Sequence, residues 1–279
     1  MPGDVDKTGG RVRFLRSIDD ALRLKADLRA ARTIAVIGAG YVGLEVAASC
    51  ALLGKQVTVV EAAARVLARV AGNELAGIVQ RAHEGHGVSF RLETTVARVT
   101  EAADGLDLEL SNGGRLTADI VLCAIGAVPN VGLAEAAGLV VDREIVTDSR
   151  CLTWDDRIYA IGDCTAFLWD GALVRLESVQ NASDQAETVA RRICGLDAEY
   201  DPLPWFWSDQ YDLRLQSVGL ATGAESVTAI FTLCKPDGSV ADPGCTQASL
   251  LYVHPGASIR IAVIGKSRKD AAREQLLLA

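Results

Sequence analysis

The chain has 279 residues, enough for one large domain or two of ordinary size, which excludes a small disulfide- or metal-stapled scaffold. With 28 Lys and Arg against 36 Asp and Glu the net charge is −8, and 49% of residues are apolar with 23% charged, the composition of an ordinary soluble enzyme. So acidic a balance excludes nonspecific nucleic-acid binding as a property of the whole surface, because such binding needs cations that displace counterions from phosphate.

Residues 1–10 lack the apolar core of a secretory signal. Residues 19–30 (DDALRLKADLRA) place Leu22, Leu24 and Leu28 near helical spacing, with Asp19 as the cap. Residues 33–37 form a short apolar, partly β-branched run, followed by glycines, a helical pattern over 41–53 and a second apolar strand at 57–60. That order is β-α-β. The apolar stretch 34–53 has the length of a membrane span, but three glycines and Glu45 inside it argue for the β-α-β unit and no membrane span. Residues 73–86 predict a helix, and 88–90, 96–99 and 106–110 predict strands around turns such as Asp104-Gly105 and Asn112-Gly113. This reads as a β-hairpin meander inserted in an α/β domain. Residues 120–125 are a final buried strand, broken at 126–129 (GAVP), where a domain crossing is expected. Beyond it come strand signals near Ile145 and over 158–161, then a helix from about 183 to 194. Residues 200–209, rich in proline and tryptophan, predict a connector. Strands at 214–218, 227–233 and 259–264 and a helix at 268–278 complete a small α+β tail.

The seven cysteines are an odd number, scattered, with no C-x-x-C pair, so they predict no disulfide framework and a reducing, cytoplasmic setting. Cys50 and Cys123 lie in apolar runs and are expected to be buried small hydrophobes. No metal-ligand cluster is expected: His83 and His86 stand three apart without a third ligand nearby and read as surface residues of a helix end, and His254 is distant.

Gly38-Ala39-Gly40-Tyr41-Val42-Gly43 matches G-x-G-x-x-G and falls where a dinucleotide needs it, after a strand and at a helix start. Gly38 permits the tight turn, Gly40 lets a pyrophosphate approach the backbone, and Gly43 lets helix pack on strand. The helix N-terminus then faces the phosphate charge. The alternative is a glycine-rich turn with no ligand. Glu61 ends the second strand 18 residues after Gly43, close to the roughly 20 expected of the acid that accepts from a ribose 2′-hydroxyl. That carboxylate repels a 2′-phosphate and favours NADH over NADPH. Arg65 and Arg69 can instead accommodate a phosphate, and a solvated strand end is a third reading of Glu61. Glu45, in an apolar helix, must be solvated, paired or close to a ligand. We read it as lining a nicotinamide pocket, the alternative being a partly exposed helix position.

Six segments then occur in one order: 34–45 (IAVIGAGYVGLE), 57–67 (VTVVEAAARVL), 124–130 (AIGAVPN), 158–164 (IYAIGDC), 175–185 (RLESVQNASDQ) and 204–211 (PWFWSDQY). Together they resemble the FAD-dependent ferredoxin reductases of the putidaredoxin and rhodocoxin reductase type, in the pyridine nucleotide-disulphide oxidoreductase superfamily. The resemblance implies an α/β fold: a linker and leading helix at 1–30, a Rossmann-like NAD-binding domain at 31–129, the C-terminal part of an FAD-binding domain at 130–203, and a reductase C-terminal α+β domain at 204–279. It also implies that Gly38, Gly40, Tyr41, Gly43, Glu61 and Arg69 hold NADH and that Glu45 and Gly126 border the nicotinamide. Gly162 and Asp163 would meet the FAD phosphate and ribityl region, and Glu177, Ser178 and Val179 the isoalloxazine ring. Trp207 would sit against the flavin towards a bound [2Fe-2S] ferredoxin. Glu45 and Trp207 are thus the two residues expected to touch the reacting groups, in a cytoplasmic protein that carries electrons from NADH to a P450 or ring-hydroxylating dioxygenase.

The family opens with its own β-α-β unit carrying a first G-x-G-x-x-G for the ADP half of FAD, and no segment here resembles it. A reductase without that half is expected, binding NADH in its first domain and retaining FAD poorly. A non-catalytic NAD(H)-binding module and a flavin reductase for another acceptor are the alternatives. Arg260, Lys266, Arg268, Lys269 and Arg273 make the tail locally basic, a surface suited to an acidic ferredoxin or simply a solvated helix.

Overall fold

The computed structural model describes residues 10–169, 171–202, 204–218, 226–230, 248–254 and 257–265. In chain order the first elements are β1 (Val12–Phe14), α1 (Ile18–Asp27), β2 (Thr33–Ile37), α2 (Tyr41–Leu52), β3 (Gln56–Val60), α3 (Asn73–Gly85), β4 (Ser89–Arg91), β5 (Val96–Ala102), β6 (Gly105–Leu110), β7 (Arg115–Ala118) and β8 (Ile120–Cys123). They are followed by α4 (Gly132–Ala136), β9 (Val141–Asp142), β10 (Glu144–Thr147), β11 (Thr165–Trp169), β12 (Ala172–Val174), α5 (Val179–Ile193), β13 (Trp205–Gln210), β14 (Leu213–Val218), β15 (Ser226–Ile230), β16 (Ala248–His254) and β17 (Ala257–Gly265). The chain forms two compact units, residues 1–126, 208–215 and 221–279 in the first and 127–207 with 216–220 in the second.

The first unit is built on a five-stranded sheet, β1-β8-β2-β3-β4, whose paired strands all run parallel. Alternation along its strands divides the side chains between two cores. Ile34, Val36, Val57, Val59, Ile120 and Leu122 pack with Leu44 and Ala47 of α2 and Leu75 and Val79 of α3. Ala35, Val60 and Val121 face Leu106, Leu108 and Leu110 of the antiparallel sheet β5-β6-β7. The expected meander is therefore the layer that covers the second face of the parallel sheet. Leu213 and Leu215 are buried in the same core as Leu44 and Val79, so the start of β14 completes the first unit.

Several local expectations are corrected. The leading segment is not only linker and helix: β1 pairs in parallel with β8, Val12 opposite Val121. A three-residue strand has too few positions to show a period, and its partner lies a hundred residues on. Helix α1 is capped by Ser17 rather than Asp19: Asp20 N–H donates to Ser17 Oγ while the Asp20 carboxylate accepts from the Ser17 N–H, a reciprocal capping box. Asp119, which no motif singles out, accepts from the N–H groups of Arg32 (2.6 Å) and Thr33 (2.8 Å) and ties the start of β2 to the turn before β8.

In the second unit, sheet β12-β11-β10-β9 packs Phe167 against Cys151, Leu176, Val189 of α5 and Tyr200. The strand expected at 158–161 is only a single bridge, Leu152 to Tyr159, because Gly162 turns the chain at φ +81° and pairing resumes at β11. Helix α5 starts at Val179, four residues earlier than expected, with Ser178 Oγ accepting from the Asn181 N–H. The tryptophan-rich connector is instead strand β13, first in a five-stranded sheet β13-β14-β17-β16-β15. Trp205 and Trp207, two apart on one strand face, stack with centroids 5.0 Å apart. Strand β16 was not expected. The helix expected at 268–278 lies outside the described residues. Cys50, Cys123 and Cys151 are buried free thiols, Cys164 is partly exposed and Cys194 exposed, and Cys234 and Cys245 lie outside the described residues. No helix of the described residues is long and apolar enough to cross a membrane.

Candidate functional site

The turn between β2 and α2 is closed by its glycines. Gly38 adopts φ +103°, and a Cβ there would lie 2.5 Å from the Ala124 carbonyl oxygen at the end of β8. A Cβ on Gly43 would lie 2.1 Å from the carbonyl oxygen of Gly38, so the helix can sit this close to the turn only with glycine at both places. Gly40 differs. Its φ is an ordinary −78°, and nothing lies within 4 Å of the position a Cβ would take. Gly40 is also the N-cap of α2, which has no side-chain cap, so the first helical N–H groups are left for a ligand. An open glycine at an uncapped helix start, beside two closed ones, fits a pyrophosphate.

Glu61 stands at the end of β3, adjacent to this turn. Its Oε2 accepts from the Ala39 N–H (2.6 Å) and its Oε1 from the Ala63 N–H (2.8 Å). The solvated strand end is thereby corrected: the carboxylate clamps the glycine turn, with lone pairs left for a further donor. Arg65 is turned inward, its Nη2 donating to the Ala68 carbonyl at 3.0 Å, so its guanidinium serves its own loop. Arg69 is exposed, and its Nη2 lies 3.7 Å from where a Cβ on Gly126 (φ +110°) would be. Tyr41 is the first residue of α2.

Glu45 is half-buried on α2, and its Oε1 accepts from Ser208 Oγ at 2.6 Å. Burial pushes its carboxyl above the ordinary range, the Ser208 hydrogen bond pulls it back, and the Asp209 charge pushes it up. Gln210 Nε2 donates to Ser208 Oγ at 3.0 Å, and Gln210 Oε1 lies 2.8 Å from His83 Nε2. Tyr211 Oη lies 3.0 Å from His83 Nδ1. His83 is fully buried, which corrects its reading as a surface residue, whereas His86 is exposed, stacked on Tyr211 at 3.7 Å. Burial holds the His83 imidazole below its ordinary value and pushes the Tyr211 phenol up to about 12. Residues 75, 76, 79 and 83 are the buried stripe of α3, a helical spacing that signals the inward position of His83. Ser208 and Gln210 lie 163 and 127 residues from their partners, with no sequence signal to link them.

In the second unit Gly162 N–H donates to Gln185 Oε1 at 2.6 Å, and Thr165 Oγ1 donates to the Gly162 carbonyl at 2.9 Å. Asp163 beside it is exposed. Ser178 caps α5, Val179 at its first turn is 67% exposed, and Glu177 accepts from Arg175 Nη2 at 3.0 Å while Arg175 Nη1 pairs with buried Glu144 at 2.7 Å. Gln185 Nε2 is buried with no hydrogen-bond partner. An exposed apolar residue at a helix start, an exposed carboxylate and a spare amide donor fit a flavin dinucleotide. Trp207 is half-buried in stacking contact with Trp205. Of the basic tail residues, Arg260 lies in β17, and Lys266, Arg268, Lys269 and Arg273 lie outside the described residues.

Residues 1–186 match the family described as pyridine nucleotide-disulphide oxidoreductase. The chain belongs to that family. Residues 205–277 match a second family, the reductase C-terminal domain. Among its relatives, a ferredoxin–NAD(P)(+) reductase of a Sphingomonas species is 40% identical over 266 residues, covering 89% of this chain and 64% of that protein. Rhodocoxin reductase of Rhodococcus erythropolis is 44% identical over 219 residues, 77% of this chain and 51% of that protein. The crystal structure of a covalent putidaredoxin reductase–putidaredoxin complex superimposes with a TM-score of 0.85 at 34% identity, covering 99% of this chain and 66% of the other. The chain thus spans from about half to two thirds of the length of these proteins.

Proposed function

We propose that this oxidoreductase chain carries the NADH site and flavin-facing residues of an FAD-dependent reductase that passes electrons from NADH to a [2Fe-2S] ferredoxin serving a P450 or ring-hydroxylating dioxygenase, in the cytoplasm. The observation that carries the reading is the glycine turn, open at Gly40, at the uncapped start of α2 and clamped by Glu61. The identity to ferredoxin reductases supports the acceptor, and the free thiols among the described residues support a reducing compartment.

The N-terminal amides of α2 bind the pyrophosphate, with Gly40 admitting it to the backbone. Glu61, already accepting two N–H groups, takes the adenine-side ribose hydroxyls on its remaining lone pairs and disfavours a 2′-phosphate, so NADH is preferred. Arg69 supplies a cation near Gly126. Tyr41 opens α2 beside the pyrophosphate, and Glu45, one turn further, accepts from the carboxamide of the nicotinamide. Gly162 and Asp163 would hold FAD at its phosphate and ribityl chain, and Glu177, Ser178 and Val179 at its ring, with Trp207 on the path towards the ferredoxin. When bound, FAD supplies the conversion of a two-electron donor into single-electron transfers.

The test is a titration of the 279-residue chain with NADH, followed by incubation with FAD, desalting and a visible spectrum before and after NADH. Saturable NADH binding with flavin retained poorly by this chain alone is the expected outcome. A retained flavin band that NADH bleaches, with reduction of added [2Fe-2S] ferredoxin, would show that these residues suffice for turnover; bleaching without ferredoxin reduction would favour a different acceptor, no flavin binding at any FAD concentration an NAD(H)-binding module, and no NADH binding would overturn the reading.

A further inference from the structure

Five side chains of the first unit form one hydrogen-bonded line: Tyr211, His83, Gln210, Ser208 and Glu45, with separations of 3.0, 2.8, 3.0 and 2.6 Å. The direction of donation is set at one end. An ionised carboxylate accepts and cannot donate, so the Ser208 hydroxyl points its proton at Glu45 and its lone pair at the Gln210 amide N–H. Gln210 must then present its oxygen to His83, which makes Nε2 the protonated nitrogen. Nδ1 of the neutral ring is left to accept from the Tyr211 hydroxyl. Every donor along the line is aimed towards Glu45.

A second observation is independent of these distances. Tyr211, in the turn between β13 and β14, adopts φ +55°, a conformation that costs a non-glycine residue free energy and persists only where surroundings impose it. Here the ring is held by its stack on His86 and its hydroxyl by His83.

We propose that Ser208, Gln210, His83 and Tyr211 are positioning residues that hold the Glu45 carboxylate in one rotamer and in its ionised state for the nicotinamide carboxamide. The proposal rests on the reading above that Glu45 borders the nicotinamide. Burial of Glu45 opposes ionisation and so does the negative charge of Asp209, next to Ser208 on β13, while α2 carries no other charged residue. Ser208 is the group that offsets them. His83 faces His86 from its own helix and Gln210 and Tyr211 from the β13–β14 segment, and its buried neutral ring keeps the line polarised in one direction.

The experiment measures NADH and ADP-ribose affinity for the full chain and its variants across about pH 5 to 9, a range that spans a raised carboxyl. ADP-ribose lacks the nicotinamide and reports an intact fold and pyrophosphate site. Ser208→Ala is expected to weaken NADH about five- to tenfold, less than a charged hydrogen bond itself is worth because the loss reaches NADH only through Glu45, with ADP-ribose unchanged. It also moves the acid loss of NADH affinity to higher pH, because Glu45 loses the contact that keeps it ionised. Tyr211→Phe, which removes one oxygen at the far end, is expected to cost about twofold in the same direction. Equal loss of both ligands, or an unmoved pH profile in Ser208→Ala, would overturn the proposal. Glu45→Gln separates the two layers: if it leaves the ratio of NADH to ADP-ribose affinity unchanged, the placement of Glu45 at the nicotinamide fails. If it changes that ratio while Ser208→Ala does not, only the positioning line fails.

Discussion

In the first unit the turn at Gly38 is closed by backbone against backbone, with the oxygens of Ala124 and Gly38 at 2.5 and 2.1 Å from where Cβ atoms on Gly38 and Gly43 would be. In the second unit the turn at Gly162 is closed by a side chain. Gln185 Oε1 takes its N–H, and a Cβ on Gly162 would meet nothing nearer than Ala182 Cβ at 3.7 Å. The first turn therefore has no tolerance for volume at Gly38 and Gly43, and the second has no tolerance for losing an acceptor. The reason is geometric: at Gly38 and Gly43 backbone packs directly on backbone, whereas the turn at Gly162 needs only its φ and one buried partner.

The largest effect expected is that of Gly43→Val, which forces α2 off β2 and costs about 3 kcal/mol or more of stability, read from denaturant midpoints. Gly162→Ala, limited by its φ of +81° alone, should cost about 1–2 kcal/mol. Equal losses would dissolve the contrast between the two turns.

Next comes Gln185→Leu, which strips the buried Gly162 N–H of its acceptor and should cost about 1–3 kcal/mol. Hydrogen exchange should place the loss in the second unit, with NADH affinity retained; a loss that spreads to β2 and α2 would show that the units are not independent in this respect. Gly40→Ala sharpens the contrast within the first turn. Nothing lies within 4 Å of its Cβ, so the thermal midpoint should hold while NADH and ADP-ribose affinities fall by about tenfold, roughly 1.4 kcal/mol.

The smallest effect is on pH dependence. His83 is buried with its pKa below the ordinary 6.5, so in acid the unfolded chain binds a proton that the folded one resists. Its contribution to stability is full above 6.5 and declines as pH falls through that value towards the folded pKa. Thermal midpoints against pH should show this slope in the wild type and less of it in His83→Gln.

Much of the first site is legible in residue order because its parts are local. The run 33–37, the glycines at 38, 40 and 43, and the acid at 61 are spaced by the geometry of one β-α-β unit, and the structure brings them together as that spacing predicts. What was illegible has long reach. β1 is too short for a period, and β13 looks like part of a connector because Pro202 and Pro204 stand just before it, although Trp205 and Trp207 share a strand face. Even His83, whose place on the buried stripe of α3 was readable, needed its cover before burial could be told from exposure.

The residue order was sufficient for the glycine turn, the family of the chain and the type of fold around that turn, because a helix start, a strand end and glycines that must lie close are all written within 30 residues of one another. Only the folded chain decided what Glu45 meets. Ser208 arrives from 163 residues away, and a single hydroxyl has no periodicity, so its hydrogen bond exists only once β13 has packed beside α2.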